Sequence, residues 1–259
     1  MERLPSVAVC VDNIEHELRN LTHPACTLEI AGRCCEEVTS WRRALGIRRL
    51  LVDADTDGFY HELLRSAHTK RYYLKRCKDK GFADYHTVAS RSEPFMDALA
   101  AGGLPCAKDL ASLSLTHMRQ GEEYPEDFAY TRFLLDFVLM GGKPGKVLET
   151  RLAEYGTALG DASEPRLKLC EALLHSDASL FGTAFDALLR LRAQEVAQQQ
   201  QRLSLDPVVA AGENVFIEGL ALLRLAEEVS IPTREEYPFC PALARLPMQQ
   251  PFPEDGYPH

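Results

Sequence analysis

The sequence predicts an all-α fold of about ten helices, arranged as stacked antiparallel hairpins or as an irregular helical bundle. Apolar residues recur at three- and four-residue steps along most of the chain, and no segment alternates with the period of two that a β-strand requires. Connectors of a few residues, many of them marked by proline or glycine, separate the helical patterns. We treat 1–259 as a single domain, with 1–80 and 81–259 as candidate layers within it.

The composition is that of an ordinary globular protein with an acidic surface. The chain has 259 residues, 46% of them hydrophobic and 26% charged, and its net charge is −9. That charge disfavours general binding to nucleic acid, which needs a basic footprint, and favours a partner of basic character. Because no basic leader or membrane-length apolar run is present, we expect a cytoplasmic protein that does not bind a membrane.

The first 80 residues predict helices at 7–21, 27–45 and 59–77. We expect Gly46 to end the second of these, because glycine is the common residue just past a helix. The short apolar segment 47–52 is ambiguous by periodicity, and we assign it as helix. Asp57 is the expected N-cap of the third helix.

Prolines near helix starts mark the middle of the chain. The predicted helices follow at 95–101, 106–118, 126–140, 146–159, 165–175 and 178–201. Ser163 is the expected cap of the helix at 165–175.

An amphipathic helical pattern with a broad apolar stripe covers 207–231, with Asp206 as its cap and Pro232 at its end. Gly212 and Gly219 lie seven positions apart and hence on one face. A glycine inside a helix costs about 1 kcal/mol relative to alanine, so we expect another helix to pack closely there. The proline-rich tail after Pro232 is expected to lie along the helices and to fray at its end.

The eight cysteines have irregular spacing, and most fall within apolar helical patterns. They are therefore predicted to be buried thiols and not disulfides.

No segment carries a complete metal-binding or catalytic motif. Asp53, Asp55, Asp57 and Gly58 match the opening of a calcium loop, but Leu64 stands where the bidentate acid should be. His61 and Glu62 begin a zinc-hydrolase pattern, whose second imidazole is replaced by Arg65. We expect no cofactor, no structural metal and no enzymatic activity.

One basic run lies on the third predicted helix and its end. Its members are Arg65, Lys70, Arg71, Lys75, Arg76, Lys78 and Lys80, interleaved with Tyr72 and Tyr73. Such a run can bind RNA or phosphate through charge and stacking. We favour a solvated helix face with the tyrosines packed beneath it, because the acidic chain as a whole repels polyanions.

Two acidic groups are candidates for contact with a partner. The first group lies just after Gly121 and flanks the start of a predicted helix. It comprises Glu122, Glu123, Glu126 and Asp127. The second comprises Asp53, Asp55 and Asp57, and Glu235 with Glu236 could serve the same purpose. Acids at a helix start also stabilise the helix dipole, so a structural role is compatible with either group.

Three stretches carry a family resemblance. They are FIEGLALLRLA at 216–226 with Ile231 and Tyr237-Pro238, EEY at 122–124 with FAY at 128–130, and Phe181 with FDALL at 185–189. Together they resemble immunity protein family 49, whose members are antidotes encoded beside bacterial polymorphic toxins. The resemblance covers the C-terminal half, and the first hundred residues add little to it.

The resemblance implies a non-enzymatic antidote that binds one cognate toxin domain and occludes its active site. A toxin that acts on a polyanion would have a basic active cleft, which an acidic protein can imitate. Two alternatives stay open from the residues alone. One is a helical adaptor or scaffold for another protein, and the other is an enzyme or RNA binder that uses the 65–80 face.

Overall fold

The computed structural model describes residues 4–162, 164–201 and 206–259. Within these ranges the chain forms eleven α-helices, two short 3-10 helices and no β-strand, which confirms the all-α prediction. The α-helices are α1 (Val7–Thr22), α2 (Leu28–Asp53), α3 (Thr56–Lys80), α4 (Glu93–Ala100), α5 (Leu104–Leu113), α6 (Pro125–Leu139), α7 (Lys146–Leu159), α8 (Pro165–His175), α9 (Ala178–Gln200), α10 (Pro207–Gly212) and α11 (Ile217–Glu228).

α2 continues past the glycine that was expected to end it. Gly46 is buried inside the helix, and a Cβ at that position would lie 3.1 Å from the backbone oxygen of Phe59 on α3. The glycine therefore permits the close approach of α2 to α3 and does not terminate the helix. The helical assignment of 47–52 is confirmed, and α2 ends at Asp53, followed by its C-cap Ala54 in the left-handed conformation with φ 52°.

α3 begins three residues earlier than predicted, with a different cap. Asp55 accepts a hydrogen bond from the backbone N–H of Gly58 at 2.8 Å, so Asp55 is the N-cap and Asp57 lies in the first turn. The helix ends at Gly81, whose positive φ of 60° suits a residue without a Cβ.

The middle helices follow the prolines, with one shorter than expected. α5 ends at Leu113 and does not reach 118, because Ser114 turns extended and its hydroxyl donates to the backbone oxygen of Leu110 at 2.8 Å. Ser163, the predicted cap of α8, lies outside the described residues. The side chain of Glu164 accepts from the backbone N–H of Arg166 at 3.3 Å and caps that helix.

The predicted single helix at 207–231 is two helices, α10 and α11, separated by a turn. Phe216 is extended, and its N–H donates to the backbone oxygen of Phe239 in the tail at 2.8 Å. That bond takes a donor that a continuous helix would use internally. α11 also ends at Glu228, three residues before Ile231.

The two glycines of this region differ in their surroundings. A Cβ on Gly212 would be 3.8 Å from Nη2 of Arg192, which is ordinary contact. A Cβ on Gly219 would be 2.7 Å from Sγ of Cys240, so the close approach expected there is real. The neighbour is the C-terminal tail and not the flanking helix that we expected.

The tail lies along the helices as predicted, but it does not fray before Tyr257. Tyr60 of α3 donates to the backbone oxygen of Leu246 at 2.6 Å, and Arg65 donates from Nε to the backbone oxygen of Asp255 at 3.0 Å. The Tyr257 ring is 9% exposed and stacks on His68 with centroids 4.4 Å apart. Burial, with a contribution from Arg71, lowers the pKa of His68 to about 4.

A buried ion pair joins α2 and α4, and a serine of α3 shares it. The carboxylate of Asp97 on α4 is 0% exposed and accepts from Nε and Nη2 of Arg43 on α2 at 2.7 and 2.8 Å. It also accepts from the hydroxyl of Ser66 on α3 at 2.6 Å. This satisfied carboxylate fixes α4 against α2 and α3.

The eight cysteines are free thiols, and all except Cys26 are buried. Burial raises the pKa of Cys240 and of Cys106 to about 12. The main hydrophobic cluster draws on α1 to α11 and on the tail, and a smaller cluster includes Cys10 and Ile14. The domain boundaries proposed from the sequence stay a prediction.

Candidate functional site

The connector between α5 and α6 is held by two of its own acids. Glu123 accepts from the backbone N–H groups of Arg119 and Ser90, each at 3.0 Å. Glu122 accepts from Nε and Nη2 of Arg119 at 2.6 and 2.7 Å, and these bonds lower the pKa of its carboxyl group. Both residues were predicted to contact a partner, and both are engaged within the chain.

The next residues of the connector point outward. Tyr124 is 71% exposed and precedes the first turn of α6, which carries Glu126 and Asp127. Among the described residues, neither of these two acids forms an ion pair or a side-chain hydrogen bond. Desolvation raises the pKa of Asp127, and the negative charge of Glu126 raises it further. These three side chains are therefore available to a partner.

A cleft of about 470 Å³ opens beside Asp127. Side chains from α2, α4, α6, α8, α9 and α11, together with the segment joining α10 to α11, line it. Arg166 donates from Nε and Nη2 to the two carboxylate oxygens of Glu218 at 2.6 and 2.9 Å, and the Tyr130 hydroxyl donates to Oε1 of the same carboxylate at 2.7 Å. Burial would lower the pKa of Arg166, but Glu218 raises it overall. This network gives the cleft a rigid polar wall.

The second predicted acidic group, at the α2–α3 turn, is largely occupied. Asp55 caps α3 and lies 3.4 Å from Nη1 of Arg49, while Asp57 accepts from the backbone N–H groups of Gln249 and Gln250 at 2.7 and 3.1 Å. Only Asp53 is exposed and outside these bonds. Within the described ranges no hydrogen bond or ion pair joins this group to the α5–α6 connector.

The basic run on α3 is divided among structural contacts. Lys70 is 5% exposed and donates to the backbone oxygen of His86 at 2.6 Å. Arg76 donates to the backbone oxygen of Leu21 at 3.1 Å and covers the Tyr72 ring, and Arg71 pairs with Asp109 at 2.9 Å. Lys75, Lys78 and Lys80 stay exposed. The arrangement favours the solvated helix face over a continuous surface for RNA.

The two incomplete metal motifs are also built into the fold. Glu62 is 1% exposed and accepts from Nη1 of Arg42 at 2.7 Å and from Nη1 of Arg65 at 2.9 Å, while His61 lies 3.2 Å from the backbone oxygen of Gln250. Over 4–162, 164–201 and 206–259, no group of three histidine, cysteine or acidic side chains is placed to hold a metal ion.

The cleft brings together residues that the sequence did not single out. Glu93 on α4 lines it along with Asp127 on α6, 34 positions further along the chain. Tyr124 could have been noticed as an aromatic residue between acids and before a proline. Glu93 gave no comparable signal, because only the packing of the helices places it at the same cleft as Asp127.

Comparison with known proteins gives one match. The sequence profile described as immunity protein 49 matches residues 63–244, more than half of the chain. The match begins within α3, so it reaches further toward the N-terminus than the C-terminal half that the resemblance was expected to cover. Searches of curated proteins and of solved structures found no match.

The matched range contains the α5–α6 connector, all the lining residues of the cleft except Arg43, and the tail contact at Gly219. None of the helices in the described part of the chain has the length and apolar character needed to cross a membrane. The breadth of the profile match, together with the all-α architecture, shows that this chain belongs to the immunity protein 49 family.

Proposed function

We propose that this protein binds and neutralises one cognate bacterial toxin domain, encoded by a neighbouring gene, by occluding its active site. The observation that carries the proposal is the family match over residues 63–244. Family membership implies a toxin partner in general and a non-enzymatic role. We propose in addition that the protein acts in the cytoplasm, where an antidote meets its toxin.

The surface that we assign to the toxin is the exposed part of the connector and the first turn of α6. It comprises Tyr124, Glu126 and Asp127, defined here as the connector surface. An exposed tyrosine is a residue type enriched at interfaces, and it supplies a large contact area with little loss of conformational entropy. Two unpaired carboxylates beside it complement a basic cleft on a toxin that acts on an anionic substrate. The chain's net charge of −9 favours the same kind of partner.

Co-expression tests the function directly. The product of the neighbouring gene should kill or arrest cells when expressed alone, and this chain should restore growth and co-purify with it. Absence of toxicity, or toxicity without rescue and without binding, would contradict the proposed function. Retention of a different protein in place of that product would instead favour the adaptor alternative.

A charge-reversal pair tests the connector surface. Glu126→Lys with Asp127→Lys should slow association with the toxin and flatten the dependence of that rate on salt, because complementary charge acts mainly on encounter. Glu123 is left intact, since its bonds to Arg119 and Ser90 hold the connector.

The matched control is Glu149→Lys with Glu228→Lys, which adds the same charge at two exposed positions outside the connector. The control should associate faster than the connector variant at low salt. Equal rates for the two variants would show that only net charge matters and would remove this surface from the proposal. Tyr124→Ala should act differently, by speeding dissociation with little change in the association rate.

A further inference from the structure

The charges that line the cleft are balanced except for two carboxylates. Three arginines line it, and each is matched by an acid: Arg43 by Asp97 at 2.7 Å, Arg166 by Glu218 at 2.6 Å and Arg192 by Glu195 at 3.2 Å. The other two lining acids, Glu93 and Asp127, have no ion pair among the described residues. The uncompensated charge at the cleft is therefore negative.

The cleft also offers hydroxyl oxygens that are not in use. Thr131 is 3% exposed and lines the cleft, and its hydroxyl makes no hydrogen bond within the described ranges. Ser92 lines the cleft at the N-cap of α4, and its side chain makes no capping bond. The Thr131 hydroxyl therefore keeps its hydrogen-bonding capacity for a ligand in the cleft. Carboxylates and hydroxyls together form a set of acceptors for a ligand with several donors.

We infer that this cleft receives a basic side chain, arginine or lysine, that projects from the toxin. The inference rests on the proposed function and specifies which chemical group of the partner the site recognises. A guanidinium carries five N–H donors and an ammonium carries three, and neither accepts a hydrogen bond. Either group matches a cleft that offers carboxylates at Glu93 and Asp127 and hydroxyls at Thr131 and Ser92.

Other ligand classes fit the cleft less well. An anion would meet two unpaired carboxylates, and the guanidinium groups that could attract it are already matched by acids. A metal ion needs three or more ligands at short range, and no such group of acidic, histidine or cysteine side chains occurs in the described part of the chain. A cation carried on a flexible side chain tolerates the looser spacing of carboxylates on two different helices.

The cleft is continuous with the connector surface, since Asp127 belongs to both. A toxin that covers Tyr124 and Glu126 would place its adjacent residues over the mouth of the cleft. Desolvation by that contact would strengthen the charge-assisted hydrogen bonds of an inserted basic side chain. Such buried charged anchors dominate the dissociation rate of many complexes.

The first test uses the chain alone with a small probe. Nα-acetyl-arginine amide, titrated at millimolar concentrations, should shift the backbone amide NMR signals of residues 92–93 and 127–131. Nα-acetyl-citrulline amide, which has nearly the same shape and no charge, should leave them unchanged. The variant Glu93→Gln with Asp127→Asn should lose the response to arginine. Equal shifts from the two probes, or none from either, would overturn the inference.

The second test uses the complex with the toxin. Glu93→Gln and Asp127→Asn should each weaken binding about tenfold or more, and Glu93→Gln, which lies outside the connector surface, should do so by raising the dissociation rate, the cost of leaving a buried charge unpaired. Glu149→Gln, which removes one exposed carboxylate elsewhere, should bind as the parent does. Parent-like binding by the double variant would reject the cleft while the proposed function stands. A parent chain that binds no toxin would reject the proposed function, and the probe titration would still decide whether the cleft binds a basic side chain.

Discussion

Gly219 of α11 packs closely against the C-terminal tail, and its replacement tests that contact. A Cβ there would lie 2.7 Å from Sγ of Cys240 and 2.7 Å from Cδ1 of Phe216. Non-bonded heavy atoms prefer about 3.5–4.0 Å, so one of the three groups must move. Cys240 is 0% exposed, and the bond between Phe216 N–H and the oxygen of Phe239 holds the tail in place beside it.

The expected cost follows from two opposing effects. Overpacking a core contact costs about 1–3 kcal/mol, whereas replacing a helical glycine by alanine recovers about 1 kcal/mol. Gly219→Ala should therefore reduce the free energy of unfolding by about 1 kcal/mol. Gly219→Leu adds three more carbons to the same contact and should cost about 3 kcal/mol or more.

A double-mutant cycle of Gly219→Ala and Cys240→Ala measures the contact between the two positions. The free energy of unfolding of each variant is obtained from urea denaturation. Removing Sγ gives the new methyl group room, so the double variant should be more stable than the sum of the single effects by about 1 kcal/mol. The control is Gly156→Ala in α7, where a Cβ meets nothing within 4 Å and should stabilise by up to about 1 kcal/mol. If Gly219→Ala stabilised like the control and the cycle were additive, the close approach of the tail would be refuted.

Three further outcomes are expected. The pKa of His68 is lowered to about 4, so its neutral ring contributes stability above pH 6.5 that is lost as pH falls toward 4, because the unfolded chain takes up the proton first. His68→Phe keeps an aromatic ring against Tyr257 but has no group that titrates. Between pH 6.5 and 4 its melting temperature should therefore fall less than that of the parent protein, and an equal fall in both would contradict this. Only Cys26 should react rapidly with a thiol reagent in the native protein, and all eight thiols should react after unfolding. Asp97→Asn should destabilise the protein by about 3 kcal/mol in denaturant melts, since the amide cannot replace the carboxylate that Arg43 and Ser66 share; a parent-like melt would show that the pair is dispensable.

The helix starts and the overall class could be predicted because they depend on local interactions. The prolines in the first turns of α4, α5, α6 and α8 mark helix starts through their own backbone geometry. The predicted helix ends are wrong where a residue far along the chain determines them. Gly46 continues its helix because α3 packs against it, and the helix at 207–231 divides because Phe239 takes the N–H of Phe216.

The candidate site was likewise predictable only in part from the sequence. The acidic residues at 122–127 stand out in the sequence, but the sequence does not show which of them are free. Glu123 is committed to the backbone of Ser90, 33 positions earlier, whereas Asp127 stays unpaired at the mouth of a cleft that it shares with Glu93.

The sequence by itself determined that this chain folds as helices, that its surface is acidic and that it resembles an antidote family. Helical hydrogen bonds span four residues, and net charge is a sum over the chain. Helix formation and net charge can therefore be evaluated without knowledge of the tertiary contacts. The tertiary structure alone decided which acids are engaged, where the tail lies and where the cleft opens. Each of these depends on the distance between side chains far apart in the chain, as with Tyr257 on His68 or Glu218 on Arg166, and local periodicity does not encode that distance.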